Sequence, residues 1–205
     1  MAVAPRERRP RADGERSRQK ILQSAAELAT VEGLNGLSIG RLADHVGMSK
    51  SGLYAHFRSK EELLIATVDT ASAILTKEVV VPGLDAPEGA ERLVAFCDAF
   101  LSHVERRVFP GGCFFASAAA ELSTRPGPVR EQIAEGYREW IALLEAQAVR
   151  AQELGELPEA VDVPQLVFEL NGMLVAANVF FLLYDDPGEL ERARRGVRER
   201  LANPG

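Results

Sequence analysis

The 205-residue sequence has few of the residues that mark disulfide-rich, metal-binding or catalytic proteins. Two cysteines, Cys97 and Cys113, are too few for a disulfide framework and indicate a reducing compartment. The three histidines are dispersed and share no metal-ligand spacing with either cysteine, so we expect no metal or cofactor. There is no phosphate-cradling glycine loop and no nucleophile elbow, which argues against an enzyme.

Long apolar runs and strand patterns are equally scarce. The longest nearly apolar run, residues 170–184, contains two asparagines and is too short to span a bilayer comfortably. The arginine-rich start lacks the apolar segment of a secretory signal, so we expect a cytoplasmic protein. The only β-branched run, KEVVVPG, ends at Pro82 and Gly83, and helical spacing covers almost all the rest. The sequence therefore predicts an all-α fold.

The helical spacing predicts three short helices, a connecting helix and a larger helical body. The predicted ranges are 16–31, 38–46, 49–56, 59–77, 88–107, 113–123, 128–154, 163–184 and 187–201. The connecting helix begins with SKEE, a capping box in which the Ser59 hydroxyl and the Glu62 carboxylate each satisfy an unpaired backbone N–H.

Charge is divided unevenly along the chain. The net charge of −6, taken alone, argues against a nucleic-acid partner. Residues 1–60, however, carry 11 Lys/Arg against 6 Asp/Glu, a balance of +5, and residues 61–205 carry 13 against 24, a balance of −11. A basic first third on an acidic body is typical of a protein that meets phosphate at one end, although a solvated charged surface is the simpler alternative.

Residues 38–57 have the spacing of a helix-turn-helix. Ala43 is small where two helices cross, Gly47 can adopt the positive φ of the turn, and Leu53 points back to the core. The second helix of such a unit lies in the DNA major groove, whereas the alternative is a helical hairpin with a hydrated polar face. The expected DNA-contacting residues are Ser38, Ser49, Lys50, Ser51, Gly52, Tyr54, His56 and Lys60.

The segment from Arg16 to about Thr76 resembles the TetR family of bacterial transcriptional regulators. The match lies in RQKILQSAAELATVEGLNGLSIGRLADHVGMSKSGLYAHFRSKEELL, where the hydrophobic positions, the turn glycine, LYxHF and SKEEL fall in register. The resemblance implies an all-α homodimer with an N-terminal helix-turn-helix domain and a C-terminal domain that binds a ligand and pairs the protomers. It also implies a repressor that a ligand releases. The sequence departs from some relatives at Gly40, which has no side chain to read a base.

We accordingly expect a disordered basic arm (1–15), a DNA-binding domain (16–76) and an effector-binding and dimerisation domain (77–205). The expected partners are palindromic operator DNA, a second copy of the chain, and a small, largely apolar effector. The alternative is a DNA-binding or adaptor protein without a ligand, whose body serves only for dimerisation or protein contacts.

Two C-terminal helices are candidates for the contact between protomers. The 163–184 helix is apolar on more than one side, which is typical of a helix that is fully buried or shared with a partner. We assign it and the last helix to a two-fold four-helix interface, with a large monomer core as the alternative. The expected interface residues are Leu170, Leu174, Ala177, Phe181, Leu190 and Val197.

An effector cavity is expected among the central helices, although aromatic residues at helical spacing are more often ordinary core. The candidate lining residues are Phe96, Phe100, Phe114, Phe115, Tyr137, Trp140, Asn171, Met173 and Asn178. The two asparagines lie seven residues apart on one face, where a buried amide needs a partner. Cys113 opens a helix, a position that lowers a thiol pKa, so it is a candidate electrophile sensor; simple packing is the alternative.

Overall fold

The computed structural model describes the backbone of residues 9–203 and the side chains of residues 14–203. The described residues form helices and turns and contain no strand, which confirms the all-α prediction. The helices are α1 (Arg9–Glu32), α2 (Ile39–His45), α3 (Lys50–Tyr54), α4 (Lys60–Leu75), α5 (Val81–Leu84), α6 (Ala90–Glu105), α7 (Phe114–Leu122), α8 (Pro128–Glu153), α9 (Val163–Tyr184) and α10 (Gly188–Ala202).

Helix α1 begins at Arg9, whereas the sequence predicts a start near Arg16 and a disordered arm before it. Arginine, alanine and glutamate are good helix formers, and they occupy four of residues 9–15. Pro10 lies in the first turn, where its missing N–H removes no helical hydrogen bond. Residues 1–8 of the expected arm lie outside the described residues.

The connecting helix is longer than predicted. A π-helical turn, Thr76–Val80, joins α4 to α5, so helical backbone continues to Leu84 instead of ending near Lys77. Tertiary packing explains why the β-branched run is helical. Val79 and Gly83 are both buried, and a Cβ at Gly83 would lie 2.1 Å from Phe96 Cδ1 on α6. Burial against α6 therefore overrides the local preference for a strand.

Helix α7 is fixed to the DNA-binding half at both of its ends. Before its first turn, the Gly111 N–H donates to Thr30 Oγ1 at 3.0 Å, and a Cβ on Gly111 would lie 2.0 Å from the Thr30 carbonyl oxygen. In its last turn, the Glu121 carboxylate accepts hydrogen bonds from the backbone N–H groups of Leu34 (2.6 Å) and Asn35 (2.9 Å). We call these two contacts the α7 latch.

A buried histidine lies where α6 packs against the π-helical turn. His103 is fully buried, and neither ring nitrogen has a hydrogen-bond partner in the described part of the chain. Its ring meets Phe109 edge-on at 5.5 Å between centroids. Burial, with a smaller contribution from Arg106, lowers the pKa of His103 to about 4, and Glu78 opposes the shift. The imidazole is therefore neutral at pH 7.

We expect Gly111→Ala to destabilise the protein, because the added Cβ would meet the backbone of Thr30, which cannot swing aside as a flexible side chain can. Overpacking of this kind costs about 1–3 kcal/mol. Gly14→Ala is the matched control, because a Cβ there has no neighbour within 4 Å and alanine favours a helix. Thermal unfolding at one fixed protein concentration measures both. Equal melting temperatures for Gly111→Ala and the wild type would contradict close contact at this end of the α7 latch.

We expect His103 to make stability depend on pH. The unfolded histidine protonates near its ordinary pKa of 6.5, whereas the folded one resists protonation down to about 4. The free energy of unfolding is therefore highest, as far as His103 is concerned, above about pH 6.5. It falls by roughly 3 kcal/mol as the pH falls toward 4. Urea unfolding of the wild type and His103→Leu across this interval measures it. Carboxylates titrate in both proteins, so parallel pH profiles would contradict the expectation.

Candidate functional site

The helix-turn-helix spacing predicted from the sequence is confirmed by the geometry of α2 and α3. Ala43 and Leu53 are fully buried, and Gly47 has φ of 68° in the turn. The Met48 N–H donates to the Ala43 carbonyl at 2.9 Å, which closes the turn directly after Gly47. Ala43 therefore allows the two helices to pack closely, Gly47 makes the turn, and Leu53 anchors α3 in the core.

Two of the predicted DNA-contacting serines cap the helices that carry the site. Ser38 Oγ accepts from the Arg41 N–H at the start of α2 (3.1 Å), and Ser49 Oγ accepts from the Gly52 N–H at the start of α3 (3.0 Å). Both serines are exposed. Their oxygens orient the two helix N-termini, where free N–H groups are available to an anion.

The remaining candidates on α3 form one outward-facing surface. Lys50 and Ser51 are exposed, Tyr54 is 56% exposed, and Gly52 between them is half-buried. His56 is half-buried just after the helix, with its ring 6.4 Å from that of Phe57. A lysine, a hydroxyl and a phenol thus share a surface free of acidic side chains on α3 itself.

Gly40 has a role that sequence reasoning did not find. A Cβ at this position of α2 would lie 3.0 Å from Lys50 Cε and 3.2 Å from Lys50 Nζ. The lysine stem therefore crosses α2 in the space that the glycine leaves. The Lys50 ammonium group thus lies where a side chain at position 40 would begin.

Lys60, the last of the predicted DNA-contacting residues, makes a hydrogen bond within the domain. Its Nζ donates to the Asn35 carbonyl at 2.8 Å, which ties α4 to the turn between α1 and α2. The capping box is confirmed with one difference. Ser59 Oγ accepts from the Glu62 N–H at 3.0 Å, but the Glu62 carboxylate accepts from the Arg58 N–H instead of that of Ser59.

Some of the predicted effector residues line one internal cavity, and the others lie outside it. A cavity of about 20 Å³ lies between α4, α6, α7, α8 and α9, which is room for about one water molecule. We call it the inner cavity. Its lining residues are Leu75, Phe100, Cys113, Phe115, Gly136, Tyr137, Trp140, Asn171 and Val175. Five of the nine predicted effector residues are among them.

Polar groups at the inner cavity are few. Trp140 Nε1 donates to Asn171 Oδ1 at 3.1 Å, so the asparagine amide has the partner that its burial demands. Burial, with a smaller contribution from Cys113, raises the pKa of Tyr137 to about 12, so the phenol is neutral. Phe100 lies beside Trp140 with 6.1 Å between ring centroids. The lining is aromatic and uncharged.

Four of the predicted effector residues do not line the inner cavity. Phe96 is buried against α5 and Trp140, and Phe114 packs between Phe109 and Phe115. The Met173 sulfur lies over Gly196, where a Cβ would approach it to 3.0 Å. Asn178 Oδ1 accepts from the Cys113 N–H at 2.9 Å and so caps the start of α7.

Cys113 lines the inner cavity without the reactivity that its helix start suggests. The side chain is 3% exposed, and burial raises the pKa of the thiol despite hydrogen bonds from the backbone of Phe115 and Ala116. Reaction with electrophiles requires the thiolate. The structure therefore favours packing over electrophile sensing at this position. Burial likewise raises the pKa of Cys97, to about 12.

The six residues predicted for the protomer contact are buried within the subunit, which leaves them almost no surface for a partner. Leu170, Leu174, Leu190 and Val197 are at most 1% exposed, and Ala177 and Phe181 at most 4%. They pack α9 and α10 against each other and against α6 and α8. A helix that is apolar on two sides gives no sequence signal for which side faces inward.

The second apolar stripe of α9 faces outward instead. Phe168, Val179 and Leu183 are 72%, 48% and 68% exposed, and Gly172 and Ala176 continue the same stripe. We call it the α9 face. By length and composition α9 could cross a membrane, and 39% of its most apolar window is buried within the subunit. Its other side is part of the core, so α9 is a core helix with one open face.

Two family models match the chain over most of its length. The model described as "Bacterial regulatory proteins, tetR family" matches residues 21–67, and "Tetracyclin repressor-like, C-terminal domain" matches residues 89–197. The HTH-type transcriptional regulator LmrA of Bacillus subtilis is 28% identical over 130 residues, which are 63% of this chain and 69% of LmrA.

Solved structures agree with the family models. A TetR transcriptional regulator from Chloroflexus aurantiacus has a TM-score of 0.87 at 25% identity, over 93% of this chain and 96% of that one. AibR, solved in complex with isovaleryl coenzyme A and operator DNA, has a TM-score of 0.70 at 25% identity, over 87% of this chain and 95% of its own. The chain therefore belongs to the TetR family of transcriptional regulators, which bind DNA and are not enzymes.

Proposed function

We propose that the protein is a cytoplasmic repressor that binds a palindromic operator as a homodimer and releases it when a small effector binds. The observation that carries the DNA-binding part is the exposed surface of α3, on which Lys50, Ser51 and Tyr54 follow a capped helix start. The N-terminal residues of such a helix reach base edges in the major groove, and the neighbouring N–H groups bind phosphate.

The α9 face supports the homodimer. Its exposed phenylalanine, valine and leucine are unusual on a free surface, and the small residues between them allow close approach of another helix. In a two-fold contact the same stripe meets its own copy, so one apolar face is enough. Two α3 helices held in this way reach successive major grooves if they lie about 34–36 Å apart.

The inner cavity supports the effector. Leu75, at the end of the connecting helix α4, lines it together with α7, which carries the α7 latch. A ligand that fits a displaced arrangement of these helices better than the present one would shift the dimer toward that arrangement. Moving the population from mostly bound to mostly released requires about 5.5 kcal/mol of differential affinity.

A second candidate function is a DNA-binding dimer that senses no ligand. The small volume of the inner cavity, about 20 Å³, favours it. Selection of bound fragments from a random DNA pool gives the operator for both candidates. A small molecule that lowers the affinity for that operator would identify a ligand sensor and exclude the second candidate. The operator would then lower the affinity for the small molecule by the same factor.

We expect Lys50→Ala and Tyr54→Ala to weaken operator binding without changing the melting temperature, because both side chains are exposed. A lost phosphate contact lowers the salt slope of the association constant by about 1, and a lost base contact costs about 1–3 kcal/mol. Lys77→Ala, an exposed lysine in the π-helical turn, is the charge-matched control. Operator titrations at several salt concentrations measure all three. Normal binding by both α3 variants would move the DNA surface elsewhere.

We expect Val179→Glu to give monomers with weak operator affinity, because a carboxylate on the α9 face would lose its hydration in the dimer. The matched control is Val149→Glu on α8, whose valine is 44% exposed and lies off this face. Sedimentation velocity measures the mass of each variant. A dimeric Val179→Glu protein that binds the operator normally would exclude the α9 face as the contact.

A further inference from the structure

The inner cavity adjoins a surface groove between α4 and α8. The groove consists of two voids of about 200 and about 260 Å³, and Ser72, Phe115, Gly136 and Glu139 line both. Phe115 and Gly136 also line the inner cavity, and Leu75 and Trp140 line both the inner cavity and the smaller void. Phe115 and Gly136 therefore belong to all three voids, and we call the two outer voids the α4–α8 groove.

The Phe115 ring lies close to α8 because this helix has no side chain at residue 136. A Cβ at Gly136 would lie 2.5 Å from Phe115 Cε1, so the phenyl ring rests directly on the helix backbone. Phe115 lines the inner cavity and both voids of the groove. A change of its rotamer would enlarge the contact between these voids, and side-chain rotation is far faster than helix motion.

The two compartments differ in charge. No lysine, arginine or histidine lines the inner cavity or the α4–α8 groove in the described part of the chain. The groove instead presents Asp69, Glu135 and Glu139. Arg138 pairs with Glu135 and the Gln132 amide donates to Asp69, whereas Glu139 has neither an ion pair nor a hydrogen bond among the described residues. The groove therefore carries uncompensated negative charge.

A second observation indicates a missing donor in the groove. Gln132 Oε1 is a buried acceptor with no hydrogen-bond partner among the described residues. A buried acceptor without a hydrogen-bond donor destabilises the folded protein, because the acceptor has lost its contacts with water. Phe115 and Trp140 lie between this polar rim and the inner cavity, and aromatic faces attract a cation.

We propose that the α4–α8 groove and the inner cavity together bind an organic cation with an apolar body. The body displaces Phe115 and enters the inner cavity, and the positive group stays at the rim beside Asp69 and Glu139. This assignment deepens the proposed effector function and rests on it for any consequence at the DNA. Asp69 belongs to α4, so the occupant separates the connecting helix from α8.

Two rigid ions of closely similar size and opposite charge, tetraphenylphosphonium and tetraphenylborate, test the assignment on the full-length protein. Trp140 is the only tryptophan of the chain and lines both compartments, so its fluorescence reports occupancy, with calorimetry as the second measurement. We expect the cation to bind at least about tenfold more tightly than the anion. Its affinity should fall with added salt, because rim charges are screened.

Acidic variants locate the binding site. Glu139→Gln should weaken cation binding about two- to fivefold, as expected for an exposed charge pair, and adding Asp69→Asn should weaken it further. Glu145→Gln is the matched control, because this glutamate lies on α8 outside the groove. Equal binding of the two ions, or a cation affinity that the Asp69 and Glu139 changes leave intact, would overturn the assignment.

The operator is titrated in the same series so that the two proposals fail separately. Cation binding that depends on Glu139 but leaves operator affinity unchanged would support the binding site and contradict ligand-controlled release. If the protein binds the operator but binds the cation and the anion equally well, the DNA-binding proposal stands and the organic-cation site is overturned.

Discussion

The α7 latch is the contact that fixes the short helix α7 of the C-terminal body to the DNA-binding half. Its first end has no spare space, because the backbone of Gly111 packs on the backbone of Thr30. Its second end is electrostatic, with one carboxylate on two N–H groups of the turn that leads into α2. Between these ends, the side chain of Phe115 reaches the inner cavity. A single nine-residue helix thus contacts both the DNA-binding half and the proposed effector site.

The connecting helix is the second mechanical element, and its two ends differ in construction. Its N-terminal turn is held by the Ser59 cap and by Lys60, whose ammonium group binds the Asn35 carbonyl. Asn35 also donates its N–H to Glu121, so the connecting helix and α7 meet at one residue of the same turn. At its other end α4 passes into the π-helical turn Thr76–Val80, a local irregularity that often accompanies function. Displacing either helix would therefore act on the segment that positions α2.

The parts of the fold that local patterns determine could be predicted from the sequence, and those that tertiary packing determines could not. Gly47, the serine caps and the helical body follow from turn chemistry and 3.6-residue spacing. The backbone at residues 77–83 is helical because Val79 and Gly83 pack against α6, and α1 begins at Arg9 although Gly14 in its second turn disfavours a helix. The side of α9 that faces inward was misassigned for a related reason. Both of its stripes are apolar, so only the surrounding helices decide which one is buried.

The size of the inner cavity constrains how any effector could act. A void of about 20 Å³ cannot hold a drug-sized molecule, so the present arrangement is one from which such a ligand is excluded. Opening it by rotating Phe115 disturbs a side chain that touches α7 and α8, whereas opening it by moving α4 disturbs the turn at Asn35 as well. The first route would leave the contact of Lys60 with the Asn35 carbonyl intact. In the proposed dimer only the second route would change the separation of the two α3 helices, so an effector of the proposed kind would have to be large enough to displace α4 as well as Phe115.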